Sequence, residues 1–388
     1  MSQAQTAESL LQAAHDLAPE IIAVRDEIER DRRLPASLVD KLRAAGLLRL
    51  WLPRAFGGPE LHPVDYVSVI EALATADGAV GWCATNAGVF SLLAGSLPER
   101  SAQEIFADCG VVAGSVNPTG KADAVAGGFR VSGRWGYASG IDHANWILAN
   151  CIIHDDGKPR RTASGAPDMR FVFLPREAVE ILDTWHVSGL RGTGSHDFQV
   201  TDVLVPEQFA IPAFSAVPRL TGVLYRIQPT SLFCIALASV VLGIARAAMN
   251  ALVTLAATKT PMGSAGTLRD KPIAQLRVAR AEALIRAARA HLLGAINNQW
   301  DAVAAGAAPT IESRASIRLA TSFCAEACSS AVDLVHTAAG GSAIQETLPI
   351  ARCFRDMRAA TQHIGLGDTG FELAGRVLFG LDPGTPRF

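Results

Sequence analysis

No long run of lysine or arginine occurs in the 388 residues, and the net charge is only -2. The electrostatic footprint of a nucleic-acid binder is therefore missing. The start of the chain, Ser2-Gln3-Ala4-Gln5 turning acidic at Glu8, lacks the basic start and apolar core of a secretory leader. A cytoplasmic location is expected. Mean hydropathy is positive, yet the most apolar stretch runs only from Ser231 to Ala245 and ends at Arg246. That is too short to span a bilayer, so a buried core helix is expected and no membrane partner. The seven cysteines are scattered and odd in number, which argues against a secreted disulfide framework. Cys324 and Cys328 lie one helical turn apart, but no His or second Cys pair completes a ligand set, so no metal is expected. No Gly-x-Gly-x-x-Gly follows a strand, so a nicotinamide site is not supported.

What is present divides into three textures. Apolar residues make up 49% and charged residues 19%, a compact composition with room for several cores. Residues 1–110 read as helical. Leu10, Leu11, Ala14, Leu17 and Ala18 recur at helical spacing until Pro19 interrupts them. Leu38, Leu42 and Leu47 continue the pattern; Pro53 to Pro63 is turn-rich; a helix through Tyr66 to Thr75 follows, and another after Asp77 carries Trp82. Residues 111–218 carry strand and turn grammar, clearest in the alternation from Phe198 to Val205 that Pro206 ends. Asp155 to Pro167 reads as an exposed loop between strands. Residues 219–388 are rich in Ala and Leu at helical period, with helices at Thr230–Thr258, Pro272–Ala304, Ser313–Ala339 and Pro349 to about Leu378. Helices, then strands, then helices is an α+β arrangement.

Three local motifs, in order, carry a resemblance. Gly127-Gly128-Phe129-Arg130-Val131-Ser132-Gly133 leads to Tyr137-Ala138-Ser139-Gly140. Next come Gly189-Leu190-Arg191-Gly192-Thr193-Gly194-Ser195 and Val203-Leu204-Val205-Pro206. Ala339-Gly340-Gly341 is then followed by Phe354-Arg355-Asp356. Together they resemble the acyl-CoA dehydrogenase superfamily over nearly the whole chain. The resemblance implies an N-terminal helical domain, a central β-sheet domain and a C-terminal four-helix bundle.

Two departures bear on chemistry. A dehydrogenase needs a positioned carboxylate base. Aligned on the family, the usual slot holds Ile364 and the alternative slot, on an earlier helix, holds Phe233. His363 sits beside the vacated slot, and Tyr137-Ala138-Ser139-Gly140 replaces the family's usual flavin-strand ending. These features resemble the two-component, group D flavin monooxygenases. Such enzymes take reduced flavin from a separate reductase, form a flavin hydroperoxide with O2 and hydroxylate small aromatic substrates. The resemblance then implies His363 as general acid/base and Ser139 at the flavin N5 or the peroxide. Trp82 would wall the ring, with Val116, Asn117 and Gly140 near it. Gly340 and Gly341 would let the backbone approach. Lys259 stands where the family has a phosphate-binding Arg, which leaves both FMN and FAD open. Phe90 replaces a second His of that branch and, with Phe233 and His196, is expected to line the substrate pocket. Arg191, Thr193 and Ser195 are read as structural or pocket residues. A homotetramer, or at least a dimer, is expected. Two other functions remain open: a true FAD-dependent acyl-CoA dehydrogenase, and a silent flavin-fold binding protein.

Overall fold

The computed structural model describes residues 5–385, so the reading of the start at Ser2, Gln3 and Ala4 lies outside the described residues. The helices α1 (Ala7–Ala23), α2 (Arg25–Asp31), α3 (Ala36–Ala44), α4 (Pro63–Ala76), α5 (Gly78–Ser91) and α6 (Glu99–Phe106) come first. A capping box between Thr6 and Ser9 starts α1. Pro19 does not interrupt this helix, contrary to the sequence expectation. Leu10, Ala14 and Ile21 form one buried stripe across it. Their burial offsets the one backbone hydrogen bond a proline removes.

The eight strands form one sheet in the order β6-β7-β2-β1-β3-β5-β8, with β4 beside β3. They are β1 (Val112–Val125), β2 (Gly128–Trp135), β3 (Trp146–Asp155), β4 (Lys158–Pro159), β5 (Met169–Pro175), β6 (Glu180–Leu182), β7 (Asp197–Pro206) and β8 (Ala210–Pro212). The central β3 is buried on both faces through Ile147, Leu148, Ala149 and Cys151 and accordingly reads as an apolar run from Trp146 to Ile153 interrupted only by the buried Asn150. β7 alternates as expected and stacks Phe198 on Trp135 at 5.0 Å. The segment from Asn117 to Lys121 belongs to the long strand β1. Its register against β3 shifts between Ser115 and Gly120, so residues 116–119 leave that ladder as an irregularity within the strand.

The helices α7 (Val223–Arg226), α8 (Pro229–Thr258), α9 (Pro272–Ala304), α10 (Ile311–Ala339), α11 (Pro349–Ala360) and α12 (Thr369–Leu378) complete the chain. The fold is the expected helical, sheet and helical-bundle arrangement. The helix α8 is 30 residues long, longer than its most apolar run, and 83% of its apolar window is buried inside the protein. It is a core helix. The expected single helix from Pro349 to Leu378 is two helices, broken over residues 361–368. Gly365 marks the close approach that forces the break: a Cβ there would lie 2.9 Å from Leu237 Cδ1 and 3.1 Å from His363 Nδ1.

Helices from both ends of the chain share one apolar core, and the sheet has its own. Ala74 on α4 is the point where three helices meet. A Cβ at Gly81 of α5 would lie 2.6 Å from the Ala74 Cβ, and one at Gly243 of α8 only 2.5 Å from the same atom. Glycine at both positions is what lets α5, which carries Trp82, sit against α4 and α8.

Candidate functional site

Asp77 places Trp82. It caps α5 by accepting from the backbone N–H groups of Ala79 at 2.9 Å and Val80 at 3.2 Å. From that rigid helix the Trp82 Nε1–H donates to Ser139 Oγ at 3.0 Å. Ser139 follows β2 in a short turn, after Tyr137 with φ 65° and before Gly140 with φ 76°. This turn is zipped to the Gly-rich segment: Gly140 N–H donates to the Thr193 carbonyl at 2.7 Å and Ala138 N–H to the His196 carbonyl at 3.2 Å.

A row of buried hydroxyls runs behind Ser139. Its Oγ is 2.7 Å from Ser195 Oγ, which is 2.7 Å from Thr193 Oγ1. Thr193 Oγ1 donates to the Leu190 carbonyl at 2.8 Å. Leu190 N–H in turn donates to Asp356 Oδ1 on α11 at 2.6 Å. Trp82, three residues of the Gly-rich segment and Asp356, from three separate stretches of chain, thus support one hydroxyl. The sequence reading left Thr193 and Ser195 unresolved between structure and pocket. The alternation Gly192-Thr193-Gly194-Ser195 was the available signal, since it puts two hydroxyls on one side of a tight loop.

His363 lies just beyond α11, in the break before α12. Its ring sits 5.9 Å from Trp82 and 5.3 Å from Phe233, edge to face in both cases. Gly365 N–H donates to its Nδ1 at 3.0 Å. A nitrogen that accepts carries no proton, so in the neutral ring the proton is on Nε2. Burial, and then the Arg318 guanidinium, push this imidazole down to about 4. At neutral pH His363 is an uncharged Nε2–H donor. Ile364, which alignment put in the base slot, is 74% exposed. The neighbouring His363 faces inward, beside Phe233 from the second slot.

The structure thus gathers Trp82, Ser139, Gly140, Phe233 and His363. Lys259, Gly340 and Gly341 meet elsewhere: Lys259 Nζ donates to the Ala339 carbonyl at 2.5 Å and to Ser342 Oγ at 2.8 Å, pinning the turn at the end of α10. Val116 is half-buried and Asn117 exposed, both at the irregularity in β1. Phe90 is buried in the sheet-side core. His196 is a staple between loops, its Nδ1 accepting from Thr184 and Trp185 N–H at 3.2 Å each. No group of three metal-ligating side chains occurs among the described residues.

Asp77 and Asp356 form a buried acidic pair beneath the site, with Arg352 Nη1 at 3.8 Å from Asp77 Oδ2. Burial, and then the Asp77 carboxyl, push Asp356 up to about 7. The folded protein therefore holds a proton on Asp356 that the unfolded chain releases near pH 4. Stability on this account falls as pH rises from about 4 to about 7 and is flat above, by at most about 1.4 kcal/mol per pH unit. In Asp356→Asn, Oδ1 can still accept from Leu190, and the titration is gone. The unfolding free energy of the variant minus that of the wild type is expected to rise across pH 4 to 7. A difference constant with pH in urea titrations would refute this.

The descriptions "Acyl-CoA dehydrogenase, N-terminal domain" and "Acyl-CoA dehydrogenase, C-terminal domain" match residues 4–96 and 235–367. An indole-3-acetate monooxygenase of Pseudomonas putida is 33% identical over 92% of this chain and 90% of its own length. The flavin-dependent monooxygenase oxygenase subunit HsaA of Mycobacterium tuberculosis is 29% identical, covering 98% of each chain. Among solved structures, XiaF from Streptomyces sp. in complex with FADH2 and glycerol superposes with a TM-score of 0.90 at 29% identity, covering 98% of this chain and 97% of that one.

Proposed function

Because the chain belongs to the acyl-CoA dehydrogenase family, we propose that it is an oxygenase of that family's flavin monooxygenase branch. It hydroxylates a small aromatic or heteroaromatic substrate with O2, using reduced flavin brought by a separate reductase. One oxygen atom enters the ring and the other leaves as water. The observation that carries this reading is that the two base positions hold Ile364 and Phe233, with His363, next to the first, packed edge to face against the second. Neither is a carboxylate, so the proton abstraction of a dehydrogenase lacks its base.

The residues present suit a flavin. Ser139 Oγ keeps a lone pair beyond its two hydrogen bonds, residues 116–119 leave the β1–β3 register, and a Cβ at Gly341 would meet nothing within 4 Å. Bound reduced flavin supplies the two electrons that activate O2. Trp82 and Phe233 exclude water and offer aromatic faces to a ring substrate. His363 Nε2–H donates to oxygen at the reacting end. Val116, Asn117 and Gly140 take the cofactor's ring edge, and Lys259 with the Gly340-Gly341 turn takes its phosphate from across a subunit contact. The FADH2 bound to XiaF favours FAD over FMN. Phe90 and His196 are proposed to shape the outer pocket. The seven free cysteines suit a reducing, cytoplasmic compartment.

The direct test is product analysis. Protein, reduced FAD or FMN, and 18O2 are mixed with a panel that includes indole-3-acetate and phenols. One labelled oxygen in a ring product supports the reading. Only hydrogen peroxide from every substrate, or reduction of oxidised FAD by an acyl-CoA, would replace it.

The bundle is expected to assemble. Val253, Ile273 and Leu276 on α8 and α9, and Leu378, Phe379 and Leu381 at the end of the chain, expose large apolar side chains. A homotetramer, or at least a dimer, is the expected species in sedimentation at micromolar concentration; a monomer there contradicts it.

A further inference from the structure

The hydroxyl row behind Ser139 has a direction. A carbonyl has no proton to give, so at 2.8 Å from the Leu190 carbonyl the Thr193 hydroxyl must donate. Its only proton is then spent. Across the 2.7 Å contact with Thr193, Ser195 must therefore be the donor. With the Ser195 proton committed, the 2.7 Å contact between Ser195 and Ser139 requires Ser139 to donate. Reversing the row would leave two oxygens 2.8 Å apart at Thr193 and Leu190 with no proton between them. Trp82 Nε1–H, a donor only, takes one lone pair of Ser139. One lone pair remains on Ser139, and no proton.

We infer that Thr193 and Ser195 are specificity-determining residues that hold Ser139 as a hydrogen-bond acceptor, so that the site favours reduced over oxidised flavin. This rests on the flavin reading above. Reduced flavin carries a hydrogen on N5 and meets the free lone pair as a donor. Oxidised flavin presents a bare N5 lone pair, and two lone pairs repel. The same polarity that admits the reduced cofactor weakens the hold on the oxidised one, which must leave for the reductase. Neither Thr193 nor Ser195 need touch the flavin: each acts through Ser139, and the row is buried, so water does not reset it.

The test is anaerobic equilibrium binding of reduced and oxidised FAD to the wild type, Ser195→Ala, Thr193→Val and Thr193→Ser. In Ser195→Ala the Ser139 proton loses its acceptor and becomes available to a bare N5. In Thr193→Val the terminal donor is lost with little change of shape, and the row is free to reverse. Both variants are expected to narrow the ratio of the two dissociation constants by about fivefold to tenfold, with oxidised flavin gaining. Thr193→Ser, which keeps the hydroxyl, is expected to hold the wild-type ratio. Unchanged ratios in Ser195→Ala and Thr193→Val, with both affinities falling together, would mean that the row is merely structural. If the folded wild type binds neither form, the flavin reading itself fails, a result distinguishable from a wrong polarity.

Discussion

His363→Ala lowers hydroxylation by at least about 100-fold while leaving flavin binding largely intact, the lower end of what a positioned proton-transfer group contributes. The ring packs edge to face against two aromatic side chains, Trp82 and Phe233, and its Nδ1 is committed to Gly365. All its chemistry at neutral pH therefore runs through Nε2–H. Two further results follow. His363→Gln, whose amide can donate from a similar position, retains more rate than His363→Ala. The acidic limb of kcat/KM due to this residue falls near pH 4, where the depressed imidazole takes its second proton, and not near the ordinary value of about 6.5. A wild-type rate in His363→Ala under single-turnover conditions would remove the residue from the mechanism.

Gly189→Ala is the second large effect. A Cβ at this position would stand 2.1 Å from the Arg355 carbonyl oxygen, 2.4 Å from its carbon and 2.8 Å from Asp356 N. All three are backbone atoms of α11, so no side chain can move aside. The Gly-rich segment must lift off α11, which breaks the Leu190 N–H bond to Asp356 and loosens the hydroxyl row at its far end. Destabilisation of about 3 kcal/mol is expected, the upper end for a forced extra methyl. Reduced flavin should bind more weakly because Ser139 is no longer held. Denaturant titration and anaerobic flavin binding measure both; an unchanged midpoint would show that the contact with α11 is not needed.

Much of the site was legible from residue types in order. Trp82, Ser139 and His363 lie far apart in sequence; the resemblance singled out all three, and the structure places them side by side. What escaped was their state. Nothing local to His363 says that Gly365 occupies its Nδ1 or that burial, and then Arg318 on another helix, suppresses its charge. Asp356 was visible only as half of an Arg-Asp pair, not as the partner of an amide 166 residues away. Two helix boundaries also misled. Pro19 looked like a stop, and residues 349–378 looked like one helix, because periodicity does not register what the neighbouring elements press against.

By itself the sequence determined the order of helices, strands and helices, the buried nature of α8, and the absence of a carboxylate from both expected base positions. These follow from local periodicity and from which side chain stands at which position, and neither needs coordinates. The tertiary structure alone decided the direction of the hydroxyl row, the tautomer of His363 and the proton on Asp356. Each depends on which atoms lie within about 3 Å and on how much water burial removes, and both are set by chain segments that meet only when the protein folds.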